Sequence, residues 1–199
     1  LARARKIAVL FTEHDMDVVF SQADRIIVLD RGELIAGGTP QALSSGETIE
    51  WSPVAAGDAK TVVCLGSTAT SPAMPYVLTD GGRQMIAPQA LPTDFPSAEL
   101  VVPRQAIFRS EDGVEIHGQL FLPRTIQGKI PALIFTHGGP VRQMLLGFHY
   151  MDYYHNAYAE NQYLASRGFA VLSVNYRLGI MYGRAFREAP GGMWRGSAE

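Results

Sequence analysis

Two apolar, β-branched runs separated by a helical segment set the narrowest limits on how this chain can fold. PALIFTHGGP, residues 131–140, is predicted to contain a buried strand, and FAVLSVNYR, residues 169–177, contains another. Between them, YAENQYLASRG, residues 158–168, predicts a helix that stops at Gly168. Strands joined by a helical crossover are typical of a doubly wound sheet. The sequence therefore predicts an α/β fold here.

The residues before this unit follow a different pattern. QAIFRS, EDG and VEIHGQLFLP predict a hairpin around an Asp-Gly turn. Further upstream, the short runs TVVCLGS, PYVLTD and RQMIAP are separated by turn signals, which is the pattern of a propeller blade or a sandwich. APQALPTDFPSAELVVP, residues 87–103, is rich in proline and predicts a linker.

The N-terminal piece predicts a strand, a helix and a hairpin. IAVLFT is the strand, Asp15 caps the helix DMDVVFSQA, and RIIVL pairs with ELIAGG across the turn DRG. The polar, turn-rich SSGETIEW then marks a change of pattern. We expect three parts, residues 1–43, 46–99 and 100–199.

The composition excludes several classes of partner. The chain is 47% apolar and 18% charged, with a net charge of −2, so it lacks the basic patch that nucleic acids and membrane surfaces usually require. No apolar run approaches the ~20 residues of a membrane span, so we expect no membrane insertion. The single cysteine, Cys64, allows no intrachain disulfide. The start has no full signal peptide and no Met, so we treat it as internal and expect a cytoplasmic protein.

The turn His137-Gly138-Gly139 follows an apolar strand directly. Hydrolysis of an ester or amide passes through an oxyanion, which backbone N–H groups stabilise. Glycine lets the backbone approach a ligand closely. The turn therefore predicts an oxyanion hole, and the alternative is a tight strand-end turn with no catalytic role.

Residues 46–199 resemble the prolyl oligopeptidase family of serine peptidases, especially its acylaminoacyl-peptidase and dipeptidyl-peptidase branch. The matching pieces are DGVEIHGQLFLP, PALIFTHGGP, YLASRGFAVLSVNYR, YGRAF and GGMWRG. The resemblance implies part of an α/β-hydrolase sheet preceded by the end of a β-propeller. It also implies a parent enzyme that cleaves short peptides through a Ser-His-Asp acyl-enzyme mechanism. Gly138, Gly139 and His137 would form the oxyanion-side turn. The chain departs from the family after NYR, where Leu178 to Met181 replace the usual Gly-Ser-x-Gly.

The nucleophile of such an enzyme sits in a G-x-S-x-G elbow, and no serine here has Gly at both −2 and +2. The family places the elbow after the W-R-G segment. We therefore expect the catalytic Ser, Asp and His to be absent and this stretch to be inactive by itself. Chain order excludes His137 as the triad base. Tyr176 and Arg177 end a strand where such sites lie; the alternative is a strand-end aromatic and a solvated Arg.

Residues 1–43 resemble the C-terminal end of an ATP-binding cassette (ABC) ATPase of the branched-chain amino acid importer type. The resemblance rests on the motif TEHD followed by ADRIIVLDRGELIAGGTP. The resemblance implies that His14 is the switch residue at the ATP γ-phosphate; on spacing alone it is a helix-start histidine. The phosphate cradle G-x-x-x-x-G-K-[ST] is missing, since Gly128-Lys129 is followed by Ile130. We therefore expect His14 to be vestigial. Two alternatives to the peptidase interpretation stand: the chain contains a fragment of the ATP-binding subunit of an ABC importer, or it is a non-functional fusion. A permease partner is expected only if the ABC segment is genuine.

Metal and cofactor binding are not expected. His149, Asp152 and His155 share helix faces in pairs, but the two histidines are six residues apart and point in different directions. Almost no basic residues are interleaved with the nearby aromatics as nucleic acid would require, so these aromatics predict packing around the hydrolase entrance. They are Phe148, Tyr150, Tyr153, Tyr154, Tyr158 and Tyr163.

Overall fold

The computed structural model describes residues 26–30, 33–38, 44, 48–56, 61–79, 82–139 and 141–189. The chain divides into two units, residues 1–42 and residues 43–199, which are treated separately below.

The described residues of the first unit form an antiparallel hairpin. Strands β1 (Ile26–Asp30) and β2 (Glu33–Gly38) pair with a register shift between Val28 and Leu29. The predicted hairpin is thus confirmed. The predicted strand IAVLFT, the helix capped by Asp15, and His14 lie outside the described residues.

The second unit begins with a four-stranded antiparallel sheet. Its strands are β3 (Ile49–Ala55), β4 (Val62–Ser67), β5 (Met74–Thr79) and β6 (Gly82–Met85), and each pairs with the next along the chain. The sequence predicts the last three but not the first, which contains Ser52 and Pro53. Ser52 has a positive φ of 53°, and the register shifts between Trp51 and Val54, so the backbone accommodates these residues through an irregularity in an edge strand.

One face of this sheet is apolar and buried. Cys64, Met74, Tyr76 and Leu78 form a cluster, and the guanidinium of Arg83 lies 3.6 Å from the centroid of the Tyr76 ring. Burial raises the pKa of the Cys64 thiol, and the nearby Glu50 carboxylate adds to this effect. Cys64 therefore acts as a small apolar side chain within the sheet.

A second sheet of mixed direction forms the α/β part. Its spatial order is β7 (Arg104–Arg109), β8 (Glu115–Phe121), β10 (Ala170–Asn175) and β9 (Ala132–Thr136). Strands β7 and β8 form the hairpin predicted around the Asp-Gly turn, with Gly113 at a φ of 85°. Strands β9 and β10 are parallel, and helix α1 (Asp152–Ser166) connects them. The predicted strand–helix–strand unit is therefore confirmed.

Strand β9 is more exposed than its sequence predicts. The apolar run predicts burial, yet four of the five residues of the strand are exposed, and Ile134 exposes 67% of its surface. The strand lies at an edge of the described sheet, and α1 packs mainly on the neighbouring strands β10 and β8. A continuous apolar run predicts a strand covered on both faces, and the edge position of β9 leaves it less covered than that among the described residues.

Helix α1 packs its buried face on strands β8 and β10. The buried residues recur at helical spacing: Tyr154, Ala157, Tyr158, Asn161, Gln162 and Ala165. The Tyr158 and Phe121 rings meet edge to face at 5.2 Å, within a core that also contains Phe148 and Val171. The helix ends in a Schellman motif, in which the Phe169 N–H donates to Leu164 O and Gly168 takes a φ of 94°. The predicted stop at Gly168 is confirmed.

Polar contacts join the two sheets of the second unit through α1. The Tyr158 hydroxyl donates to Ala69 O at 2.9 Å. The Gln162 amide donates to Val101 O at 2.7 Å and accepts from the Val101 N–H at 2.9 Å. Phe95, Leu100 and Val101 also pack against the core. The proline-rich segment predicted as a linker is therefore anchored to the α/β core.

Two further helices are described, a 3-10 helix at Pro88–Ala90 and α2 (Arg184–Arg187). Over the described part of the chain, no helix combines the length and apolarity that crossing a membrane requires.

The core predicts a specific stability result. Phe121 is fully buried, so Phe121→Ala should lower the free energy of unfolding by about 3–5 kcal/mol through lost burial and a residual cavity. Ile107→Ala is the control in the same hairpin; Ile107 is 53% exposed, and its loss should cost about 0.5 kcal/mol or less. Urea unfolding followed by circular dichroism measures both. Equal costs for the two variants would contradict this account of the core.

Candidate active site

The His-Gly-Gly turn begins where β9 ends. Thr136 is the last residue of the strand, and His137, Gly138 and Gly139 follow it directly. Gly139 has a φ of 56°, a left-handed conformation that favours glycine. Gly138 and Gly139 are both exposed, so a ligand has access to their backbone.

Side chains from two other elements hold the carbonyl groups of this turn. The hydroxyl group of Tyr176, which follows β10, donates a hydrogen bond to His137 O. Tyr154, on α1, donates to Gly138 O at 2.7 Å. The His137 ring places Nδ1 3.3 Å from the same Gly138 O. Neither the Gly138 nor the Gly139 N–H donates to an acceptor among the described residues.

The His137 ring is part of the interior rather than of the surface. It is only 3% exposed, and it stacks on Tyr176 with ring centroids 4.3 Å apart. The Tyr154 ring meets it edge on at 6.3 Å. Burial lowers the pKa of His137, with the hydrogen bond to Gly138 acting in the opposite direction. The ring is therefore neutral near pH 7 and shapes the turn without adding charge.

Asn175, the last residue of β10, anchors the loop beside the turn. Its side-chain oxygen accepts from the Met144 N–H at 2.6 Å, and its amide nitrogen donates to Met144 O at 2.9 Å. The same nitrogen contacts the Tyr182 hydroxyl at 3.0 Å. The buried amide thus fixes the loop against the carboxyl end of the sheet.

A cavity of about 400 Å³ adjoins this end of the sheet. Both sheets of the second unit contribute to its lining, through Ile49 of β3 and through His117 and Asn175 of β8 and β10. The His117 ring stacks on Tyr182 at 4.7 Å. The cavity is large enough for a few side chains of a peptide.

Arg177 turns away from the His-Gly-Gly turn. Its guanidinium pairs with the Asp112 carboxylate on the β7–β8 connection. Hydrogen bonds from Ser110 and Arg177 lower the pKa of Asp112. The sequence predicts both Tyr176 and Arg177 at this strand end, and it is Tyr176 that binds and stacks on the turn.

The three residues considered for a metal are used in other ways. The His149 ring is buried; Nε2 lies 2.9 Å from Gln143 O, and Nδ1 accepts from the Met151 N–H at 2.9 Å. The His155 ring packs against Phe148 at 4.8 Å. Asp152 lies in the first turn of α1, where its charge complements the helix dipole. Within the described residues, no three His, Cys, Asp or Glu side chains form a group that could hold a metal ion.

Sequence reasoning misses two residues of the site. It assigns Tyr154 to packing and gives Asn175 no role. The available signal is weak: a tyrosine in the first turn of a helix, and an asparagine at the end of an apolar strand. Only the crossing of α1 over the sheet shows that Tyr154 reaches the turn.

No family model matches this sequence. "Uncharacterized peptidase YuxL" of Bacillus subtilis (strain 168) is 33% identical over 97 residues, covering 48% of this chain and 13% of that protein. "Dipeptidyl aminopeptidase BIII" of Pseudoxanthomonas mexicana is 36% identical over 95 residues, covering 44% and 12%. Acylaminoacyl peptidase of Pyrococcus horikoshii superposes with a TM-score of 0.56 at 27% identity, covering 73% of this chain and 21% of that one.

The chain is therefore similar to parts of proteins that are named as peptidases. The described sheets and helices also fit part of an α/β-hydrolase fold. The chain spans about an eighth of the length of the two curated relatives. The comparisons give no support to an ABC ATPase fragment at residues 1–43 or to ATP binding at His14.

The buried ring of His149 predicts that the stability of the fold depends on pH. Burial lowers the pKa of His149, so the unfolded chain binds more protons just below the ordinary histidine pKa of about 6.5. Stability should therefore be complete above that pH and fall as the solution is acidified towards the lowered pKa. Protonation of Nδ1 also removes the acceptor for the Met151 N–H.

The test is urea unfolding between pH 5 and 8 of the wild type and of His149→Gln. A glutamine side chain has a donor NH2 group and an acceptor carbonyl, and it does not titrate in this range. The variant should lose less stability on acidification, and the remaining loss should come from His137, whose pKa burial also lowers. Identical slopes for the two proteins would contradict the prediction.

Proposed function

We propose that the whole protein hydrolyses peptide bonds in short peptides and that residues 137–139 form the oxyanion side of its active site. The observation that carries the proposal is the strand-end turn, with accessible amides at Gly138 and Gly139 and both preceding carbonyls bound by side chains. Preorganised backbone N–H groups are what an acyl-transfer transition state requires. The named relatives are peptidases, which supports the same chemistry.

The mechanism divides the chemistry between a catalytic triad and the backbone amides of the turn. A serine attacks the scissile carbonyl, a histidine accepts its proton, and an aspartate orients that histidine. The negative charge that develops on the carbonyl oxygen is met by the amides of Gly138 or Gly139. No serine of the 199 residues stands in a G-x-S-x-G sequence. This stretch of chain would therefore supply the oxyanion-binding amides and not the nucleophile.

The antiparallel sheet would limit which substrates reach the active site. Strands β3 to β6 form a meander of the kind that builds one propeller blade. Ile49 of this sheet lines the cavity at the carboxyl end of β10. A propeller at this position would limit access to short or flexible peptides. We infer that the sheet contributes to substrate selection by size.

The test uses the protein that the complete gene encodes. A fluorophosphonate probe should label it, and it should cleave aminoacyl or dipeptidyl p-nitroanilides. A β-branched residue is strained at the φ of Gly139, so Gly139→Val should shift the backbone and displace its N–H from the oxyanion. Losing one oxyanion donor costs roughly 3 kcal/mol, so kcat should fall by about a hundredfold.

Gly128→Val is the matched control. Gly128 has a φ of 68° and lies before β9, at the end of the strand opposite the turn, and a Cβ added there would meet open space. The substitution should cost similar backbone strain and leave kcat within about twofold of the wild type. A wild-type protein that neither reacts with the probe nor cleaves any of the substrates would overturn the proposed function.

A further inference from the structure

We propose that Tyr154 and Tyr176 are positioning residues that orient the amide N–H groups of the His-Gly-Gly turn for catalysis. This inference rests on the proposed function and goes beyond it, since it assigns the geometry of the turn to two hydroxyl groups from other elements.

Peptide geometry links the two hydroxyl groups to the two amides. In a trans peptide, the C=O of one residue and the N–H of the next lie in one plane and point in opposite directions, and the described chain contains no cis bond. Fixing the His137 carbonyl therefore fixes the Gly138 N–H, and fixing the Gly138 carbonyl fixes the Gly139 N–H. The two hydroxyl groups act on these two carbonyls.

Glycine does not hold such an orientation by itself. It populates positive and negative φ about equally, so two consecutive glycines leave the peptide planes free to rotate. Electrostatic stabilisation of an oxyanion requires donors that are already oriented before the reaction begins. The chain therefore needs an external constraint on these planes.

The two tyrosines are themselves fixed. Tyr154 is buried on α1, and its ring packs edge on against His149 at 5.4 Å. Tyr176 directly follows β10 and stacks on His137. Burial raises the pKa of the Tyr176 phenol, so it keeps its proton and remains a donor at neutral pH. The constraint thus extends from the helix and the sheet to the turn.

Each tyrosine acts on a different amide. Tyr176 orients the Gly138 N–H, whereas Tyr154, helped by Nδ1 of His137, orients the Gly139 N–H. If loss of the Tyr176 hydroxyl lowers kcat more, the Gly138 N–H binds the oxyanion. If loss of the Tyr154 hydroxyl lowers kcat more, the Gly139 N–H binds it.

The experiment measures kcat and KM for Tyr154→Phe, Tyr176→Phe and the double variant of the protein that the complete gene encodes, with a peptidyl p-nitroanilide as substrate. At least one single variant should lower kcat about three- to tenfold with KM within about twofold, as expected for one lost hydrogen bond that acts in the transition state. A peptide aldehyde, which forms a tetrahedral adduct, should bind more weakly to that variant by a similar factor.

Tyr163→Phe is the matched control, since Tyr163 lies on the same helix and is 62% exposed. It should leave kcat, KM and the aldehyde affinity unchanged. Phenylalanine keeps the ring packing, and the melting temperature of each variant checks that it is folded. If the double variant does not fold, the single variants decide.

The possible outcomes separate the two proposals. Active protein whose folded tyrosine variants keep the wild-type kcat would overturn the positioning role and leave the peptidase proposal standing. A rise in KM at constant kcat would also overturn it, because that result indicates ground-state binding. A wild-type protein without turnover would overturn both proposals.

Discussion

The parallel pairing of β9 with β10 determines what meets at the carboxyl end of the α/β sheet. Thr136 lies opposite Val174 in this register, so the residues that follow the two strands emerge at the same edge of the sheet. His137 and Tyr176 consequently meet although 39 positions separate them, and their rings stack. In open α/β sheets, ligands bind outside the carboxyl ends of the strands, which is where this turn lies.

Helix α1 makes that pairing possible and also reaches the candidate site. Its middle and C-terminal turns bury Tyr158 and Ala165 against the sheet, and its first turn carries Tyr154 to the Gly138 carbonyl. Gln162 on the same face binds both backbone groups of Val101. One buried face therefore serves the core, the connection to the antiparallel sheet, and the turn. The polar groups of Tyr154, Tyr158 and Gln162 are tolerated in this face because each of them finds a partner.

Hydrogen bonds join the antiparallel sheet to the α/β part. The Ser67 hydroxyl donates to Phe148 O, and the Phe148 N–H donates to Thr68 O. A Cβ on Gly147 would lie 2.9 Å from the Thr68 backbone, so glycine permits this close approach. These contacts place β3 beside the cavity that Asn175 also lines. The proposed selection of substrates by size depends on that placement.

Most of the described local elements follow from the sequence alone, although α1 begins at Asp152, six residues before the predicted start. Periodicity and turn residues are local properties, and they predict the strands of both sheets except β3, the Asp-Gly hairpin, the helix end at Gly168, and the strand-end position of His137, Gly138 and Gly139. Which of these features meet is a matter of tertiary structure. The fold places β9 at an exposed edge, anchors the segment before β7 to the core, pairs Arg177 with Asp112, and brings Tyr154 to the turn. These outcomes depend on contacts between residues far apart in the chain, and a local pattern contains no information about such contacts until the sheet register and the helix crossing are fixed.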